Sequence, residues 1–226
     1  MNLIEIIALT ADDAKRIEGC GGDRIELISE YGLGGLTPCR DTIEKVVRAV
    51  KIPVNVMIRP HSKHFAYSQE EIALMKSDIA AARDLGAHGV VFGALNKRGI
   101  ICLKRTGQLI SRSFGLDITF HRAVDELPNP LEGIRAFSKF AAITSVLTSG
   151  GSGNVAQNTA VINEMIQHSR HINILIGGGL NFDNIALIRE KTGATQFHFG
   201  RAVRNDITFE IDEQKLKRMV RLCKEV

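Results

Sequence analysis

The hydrophobic and polar positions of this chain alternate between two patterns from one end to the other. Short β-rich runs at 3–8, 24–28, 54–59, 89–93, 117–121, 145–149, 172–177 and 196–200 read as strands. Longer amphipathic stretches at 11–18, 40–50, 69–85, 103–111, 131–140, 155–168, 184–191 and 212–224 read as helices between and after them. The third helix has the clearest signature. Ile72, Met75, Ile79, Ala82 and Leu85 recur at three- and four-residue steps, Ser68 offers an N-cap with Glu71 three residues on, and Gly86 supplies a left-handed stop.

Eight strand–helix units of roughly 25 to 30 residues predict a complete (β/α)8 TIM barrel, an α/β single domain over 1–226. A doubly wound open sheet is the alternative reading of the same alternation. Against it, no G-x-G-x-x-G follows the first strand, where a dinucleotide-binding sheet carries its fingerprint. The strands also end in polar or glycine residues, as at Ile58-Arg59-Pro60-His61, Phe120-His121-Arg122 and Thr148-Ser149-Gly150-Gly151. In a barrel those ends converge on one mouth.

Composition narrows the function classes. At 226 residues, with 44% hydrophobic and 24% charged, the chain has the balance of a globular protein that buries a sizeable core without staples. The net charge of +4 is spread along the sequence, with a cluster only at Lys215, Lys217, Arg218 and Arg221 on the last helix. With no Trp and no basic-aromatic interleaving, nucleic acid is not an expected partner. No apolar run approaches the roughly 20 residues that cross a bilayer, so no membrane partner is expected either. Cys20, Cys39, Cys102 and Cys223 are widely spaced and form no C-x-x-C, and no leader-like segment opens the chain; a reducing cytoplasm is the expected location.

The strand ends collect the candidate chemistry: Glu26, Arg59, His61, His121, Arg122, Asp125, Thr148, Ser149 and His198, with Gly177, Gly178, Gly179, Gly200 and Arg201 among them. Such a cationic, glycine-rich mouth suits a small anionic ligand, because glycines let backbone N–H groups approach an oxyanion and a following helix adds its N-terminal charge. A helix near Asn181 is expected to play that part; plain tight turns are the competing explanation. Consecutive strand residues face opposite ways, so His121, above Thr119, and Arg122 cannot both look into the barrel unless the strand has ended. His121 with Glu26 then forms a candidate acid/base pair, or else His121 is a core histidine and Arg122–Asp125 a local salt bridge. Arg59 needs a carboxylate or phosphate partner for its guanidinium: either Glu26 on the neighbouring strand, in an ion pair that seals the mouth, or an anionic ligand that it clamps bidentately. Glu5 is either lumenal and paired or part of an outward edge. A metal is a weaker option, with His121 and His198 from separated strands and Cys39 at the start of the second helix as candidates.

As a set these residues resemble the CutC family, named for copper homeostasis. The resemblance runs through Arg24 to Leu27, Gly34 to Pro38, Pro53 to Pro60 with Phe65 and Tyr67-Ser68, Gly89 to Gly93, Thr119 to Ala123 with Asp125, and Leu147 to Gly151. It implies a cytoplasmic TIM barrel, a homo-oligomer, and a copper ion as ligand or cofactor. Members often show Glu-Leu-Cys where this chain has Glu26-Leu27-Ile28, Phe-Cys-Tyr-Ser where it has Phe65-Ala66-Tyr67-Ser68, and a His-Ser-Ser-like segment where it has His198-Phe199-Gly200. The missing thiols weigh against a cysteine-based copper site. The second function class is therefore a TIM-barrel enzyme acting on a small anionic or phosphorylated metabolite at the mouth, and a third a partner-binding barrel.

Overall fold

A computed structural model describes residues 2–224. Eight parallel strands close into a barrel in chain order, with β8 pairing back to β1. They are β1 (Leu3–Ala8), β2 (Arg24–Leu27), β3 (Val54–Met57), β4 (Gly89–Phe92), β5 (Asp117–Phe120), β6 (Ile143–Thr148), β7 (Asn173–Ile176) and β8 (Gln196–Phe199). The helices α1 (Ala11–Gly19), α2 (Arg40–Ala49), α3 (Gln69–Asp84), α4 (Leu103–Ile110), α5 (Pro130–Phe137), α6 (Thr159–His168), α7 (Ile185–Thr192) and α8 (Glu213–Lys224) follow the strands one for one. The open sheet is excluded by the closure. Among the described residues no helix is long and apolar enough to cross a membrane.

Each expected element is present, and the differences lie at the ends. The capping box that opens α3 forms as the sequence predicts, Ser68 accepting from Glu71 N–H while Glu71 accepts from Ser68 N–H. β6 begins two residues early at Ile143, across a register shift between Ile118 and Thr119 of β5. α6 starts at Thr159 rather than 155, because Asn158 ties its side-chain amide to the carbonyls of Ser149 and Ser152 and so holds 149–158 as a loop.

Period-two alternation sorts the strands into two environments. Ile4, Ile6, Ile25, Val56, Phe92 and Phe120 belong to the main core between barrel and helices, where Phe120 meets Phe137 of α5 at 4.3 Å between rings. The alternate positions point inward. Towards the mouth they form a separate apolar cluster of Ile28, Met57 and Val91, with Ile7 and Tyr31 against it. Deeper, they are polar and buried: Glu5, Arg24, Glu26, Asn55, Thr119, Ser145 and His198. Folding has enclosed these groups where water does not reach freely, which is costly unless they pair or serve a site.

Candidate active site

A cavity of about 920 Å³ opens at the C-terminal ends of the strands, the face where barrels of this kind carry their sites. Of the residues picked out from the sequence, Glu26, Arg59, His121, Arg122, Asp125, Gly178, Gly179, His198, Gly200 and Arg201 line it. His61, Thr148, Ser149, Gly177 and Cys39 are not among its walls. His61 instead meets Glu71 at 2.8 Å, at the start of α3. Cys39 is exposed, beside Thr42 at the start of α2.

β5 ends at Phe120, and a 3₁₀ turn (Arg122–Glu126) follows at once. Strand alternation therefore stops at His121, and both His121 and Arg122 reach the cavity. A glycine makes room for each. A Cβ on Gly93 would lie 2.6 Å from the His121 ring, and one on Gly178, whose φ is +82°, would lie 2.8 Å from the Arg122 guanidinium carbon. Arg122 donates through Nε to Asp125 Oδ2 (2.9 Å) and through Nη2 to Ser149 Oγ (3.0 Å). Thr148 Oγ (2.5 Å), Ser149 N–H and Oγ–H, and Gly151 N–H all donate to the same Asp125 carboxylate. Thr148 and Ser149 thus act by fixing Asp125, which in turn aims Arg122.

The imidazole of His121 is only 4% exposed. Its Nδ1 accepts from Ala123 N–H at 3.2 Å, so the neutral ring carries its proton on Nε2, and that atom has no partner in the protein. Burial, with Arg59 and Arg122 nearby, pushes its pKa down to about 3. At neutral pH His121 is an uncharged hydrogen-bond donor with a free N–H, and the nitrogen a base would use is taken.

Arg59 does not pair with Glu26. Glu26 stands in register with Asn55, four residues before Arg59, which follows the end of β3 at Met57 and directs its guanidinium to the loop carbonyls beyond the strand. There it donates to the carbonyls of Leu33, Gly34, Gly35 and Ser62 and lies over the Phe65 ring at 4.7 Å. Among the described residues no carboxylate lies within ion-pair distance of it, and its Nε is buried without an acceptor.. Phe65 also touches His121, with ring centroids 4.8 Å apart. Two unused donors, one cationic, therefore flank one aromatic ring.

Glu26 takes its partners from across the barrel closure. Its Oε2 lies 3.7 Å from His198 Nε2, and its Oε1 is buried with no partner. Burial pushes its pKa up to about 7. Glu5 turns out to be lumenal and paired, bound by Arg24 Nε (2.5 Å) and His198 Nδ1 (2.7 Å). The glycine loop after β7 differs from expectation. Gly178 and Gly179 do reach the cavity, but α7 begins only at Ile185, and Asn181 Oδ1 takes the N–H groups of Asp183 and Asn184. Two N–H groups ahead of α7 are therefore satisfied within the turn itself. Tyr31, from the turn after β2, is a wall residue that strand-end reading passes over.

The family model of CutC matches residues 2–203. This chain belongs to the CutC family. Its relatives within that copper-homeostasis family include the human "copper homeostasis protein cutC homolog", 37% identical over 87% of this chain and 72% of that protein. A family protein CutC of Mesorhizobium japonicum is 37% identical over 87% of this chain and 76% of its own length. The crystal structure of the putative copper homeostasis protein CutC from Streptococcus agalactiae superposes with a TM-score of 0.82 at 29% identity, covering 88% of this chain and 98% of that one. Phosphoribosylanthranilate isomerase of Thermotoga maritima, at 10% identity and TM-score 0.65, shares the fold.

The donor atoms of this CutC barrel do not suit copper(I). Among the described residues the one cluster of three potential ligands is Glu5, Glu26 and His198, a set of oxygens and one imidazole where a soft ion wants thiolate or thioether. A guanidinium already holds Glu5, and the imidazole nitrogens face carboxylates on both sides. No cysteine belongs to the cluster.

Proposed function

We propose that the mouth of this CutC-family barrel binds a small anionic metabolite and moves a proton on it. The observation that carries this reading is Arg59: a buried guanidinium, 9% exposed, that lines the cavity without a carboxylate of its own. A buried cation of this kind is costly unless a counter-charge arrives, and a ligand carboxylate or phosphate supplies one. His121 Nε2–H beside it donates to a ligand oxygen as a neutral imidazole does, stabilising charge that develops there without surrendering a proton. Arg122, held by Asp125, and Arg201 add positive potential at the rim.

Glu26 is the acid/base of this scheme. A carboxyl whose pKa sits near 7 exists in both forms at neutral pH and so can take a proton from a ligand and give it back. Copper(I) as ligand or cofactor has no thiolate or thioether to hold it in this cluster, and copper enters no step of the reading. A cytoplasmic location belongs to the same proposal and is supported by four unpaired cysteines; homo-oligomer formation rests on the family resemblance.

A thermal-shift screen against inorganic phosphate and phosphorylated or carboxylated metabolites tests the reading. Ligand linkage predicts a rise in Tm that grows with anion concentration and is lost in Arg59→Ala and reduced in His121→Ala. Equal stabilisation of the wild type and Arg59→Ala by every anion would refute it.

A further inference from the structure

Glu26 does not stand alone in the lumen. Arg24 Nε meets Glu5 Oε2, Glu5 Oε1 meets His198 Nδ1, and His198 Nε2 faces Glu26 Oε2 at 3.7 Å. Glu5 and Arg24 lie below the cavity wall, while His198 and Glu26 are part of it. This gives a line of four groups running from the barrel interior to Glu26 in the cavity wall, whose Oε1 is buried without a partner.

The geometry points to His198 as the positioning residue for Glu26: as an imidazolium 3.7 Å from Glu26 Oε2 it keeps the single proton of the pair, so that Glu26 presents a carboxylate to a ligand in the cavity. This rests on the reading that Glu26 exchanges protons there. Charge balance inside the barrel supports it. Arg24 and Glu5 cancel, so the His198–Glu26 pair is neutral overall when it carries one proton, and a buried assembly with no net charge avoids the cost of an uncompensated ion. That proton has two places to sit. Glu5, accepting at Nδ1, favours the imidazolium and orients Nε2–H towards Glu26, as a buried carboxylate orients a catalytic histidine.

Burial opposes a charged imidazole, yet Glu26 and Glu5 together outweigh it and raise the His198 pKa. The other neighbours of the pair are uncharged at neutral pH: Asn55 of β3, in register with Glu26, and the Tyr31 phenol from the turn after β2, whose pKa burial raises. In the transfer, the bond from a ligand atom to hydrogen breaks, its electron pair stays on the ligand, and the proton goes to Glu26 Oε1. His198 keeps its own proton throughout, and Glu26 returns the transferred one to a second ligand atom. No electrons leave the system.

Infrared titration of the carboxylic acid C=O stretch tests this, with the Glu26 band identified by its loss in Glu26→Gln. The midpoint of that band is expected to move up by one pH unit or more in His198→Asn, which removes the cation that lowers it. Because this variant is open to misfolding, nitrogen NMR of the wild type gives a second readout, in which His198 shows both ring nitrogens protonated at neutral pH. A singly protonated His198 there, or an unmoved midpoint in a folded variant, overturns the proposal. Wild-type stabilisation by phosphate is read separately, so failure of anion binding and failure of the His198 protonation are told apart.

Discussion

Replacing Arg204 by Met is expected to lower unfolding free energy by about 3–5 kcal/mol, the range for breaking a buried ion pair from one side. Arg204 follows β8, is 1% exposed, and donates to Asp13 Oδ2 (2.9 Å), Ile7 O (2.8 Å) and Phe209 O (2.7 Å). Its loss leaves the buried Asp13 carboxylate without its cation and two carbonyls without their donor. It also releases Phe209, which Arg204 helps hold at a left-handed φ of 60°. Phe209 packs edge-on against Tyr31 of the cavity wall, with ring centroids 4.7 Å apart, so anion binding should weaken along with stability. Urea unfolding followed by circular dichroism measures the change. A loss below about 1 kcal/mol, within the range of an exposed pair, would contradict this account of Arg204.

The second large effect concerns pH. A carboxyl whose pKa rises from the ordinary 4.5 to about 7 on folding binds its proton more tightly in the native state. Where the native state binds more protons, stability falls as pH rises. Glu26 therefore favours the fold most below about pH 4.5, and that contribution is lost as pH climbs through about 7. His198, also raised, acts in the same direction, its contribution lost as pH rises through its folded value. For Glu26 the loss amounts to about 3 kcal/mol by linkage. Glu26→Gln should flatten most of the decline between pH 5 and 8 and should be more stable than the wild type at pH 8. Parallel stability curves for the two proteins would show that Glu26 carries no such cost. The expected gain at pH 8 marks Glu26 as a group retained at the expense of stability, as functional carboxyls are.

Much of this was legible from residue order. The strand and helix count follows from two hydrophobic periods, and Glu26, Arg59, His121 and His198 emerge because polar residues that end apolar strands have the barrel mouth as their natural place. What escaped depends on closure and on loops. Glu5 and His198 are 193 positions apart and touch because β8 returns to β1; no local pattern encodes that contact. Neighbouring strands suggest Glu26 as a partner for Arg59, but the carbonyls of 33–35 occupy the space beside the guanidinium. Thr148 and Ser149 look like ligand-binding hydroxyls, yet they turn towards Asp125, a residue more than twenty positions earlier. Tyr31 enters from a turn that carries no periodic signal.

The central claim, that Arg59 and His121 together receive an anion, is tested most directly by NMR of their side-chain N–H groups during titration with inorganic phosphate. The Arg59 Nε–H and His121 Nε2–H signals, assigned by their loss in Arg59→Lys and His121→Gln, are predicted to shift together and to saturate with one common Kd. Phosphate that moves exposed lysine and arginine signals while leaving these two unchanged would contradict the account.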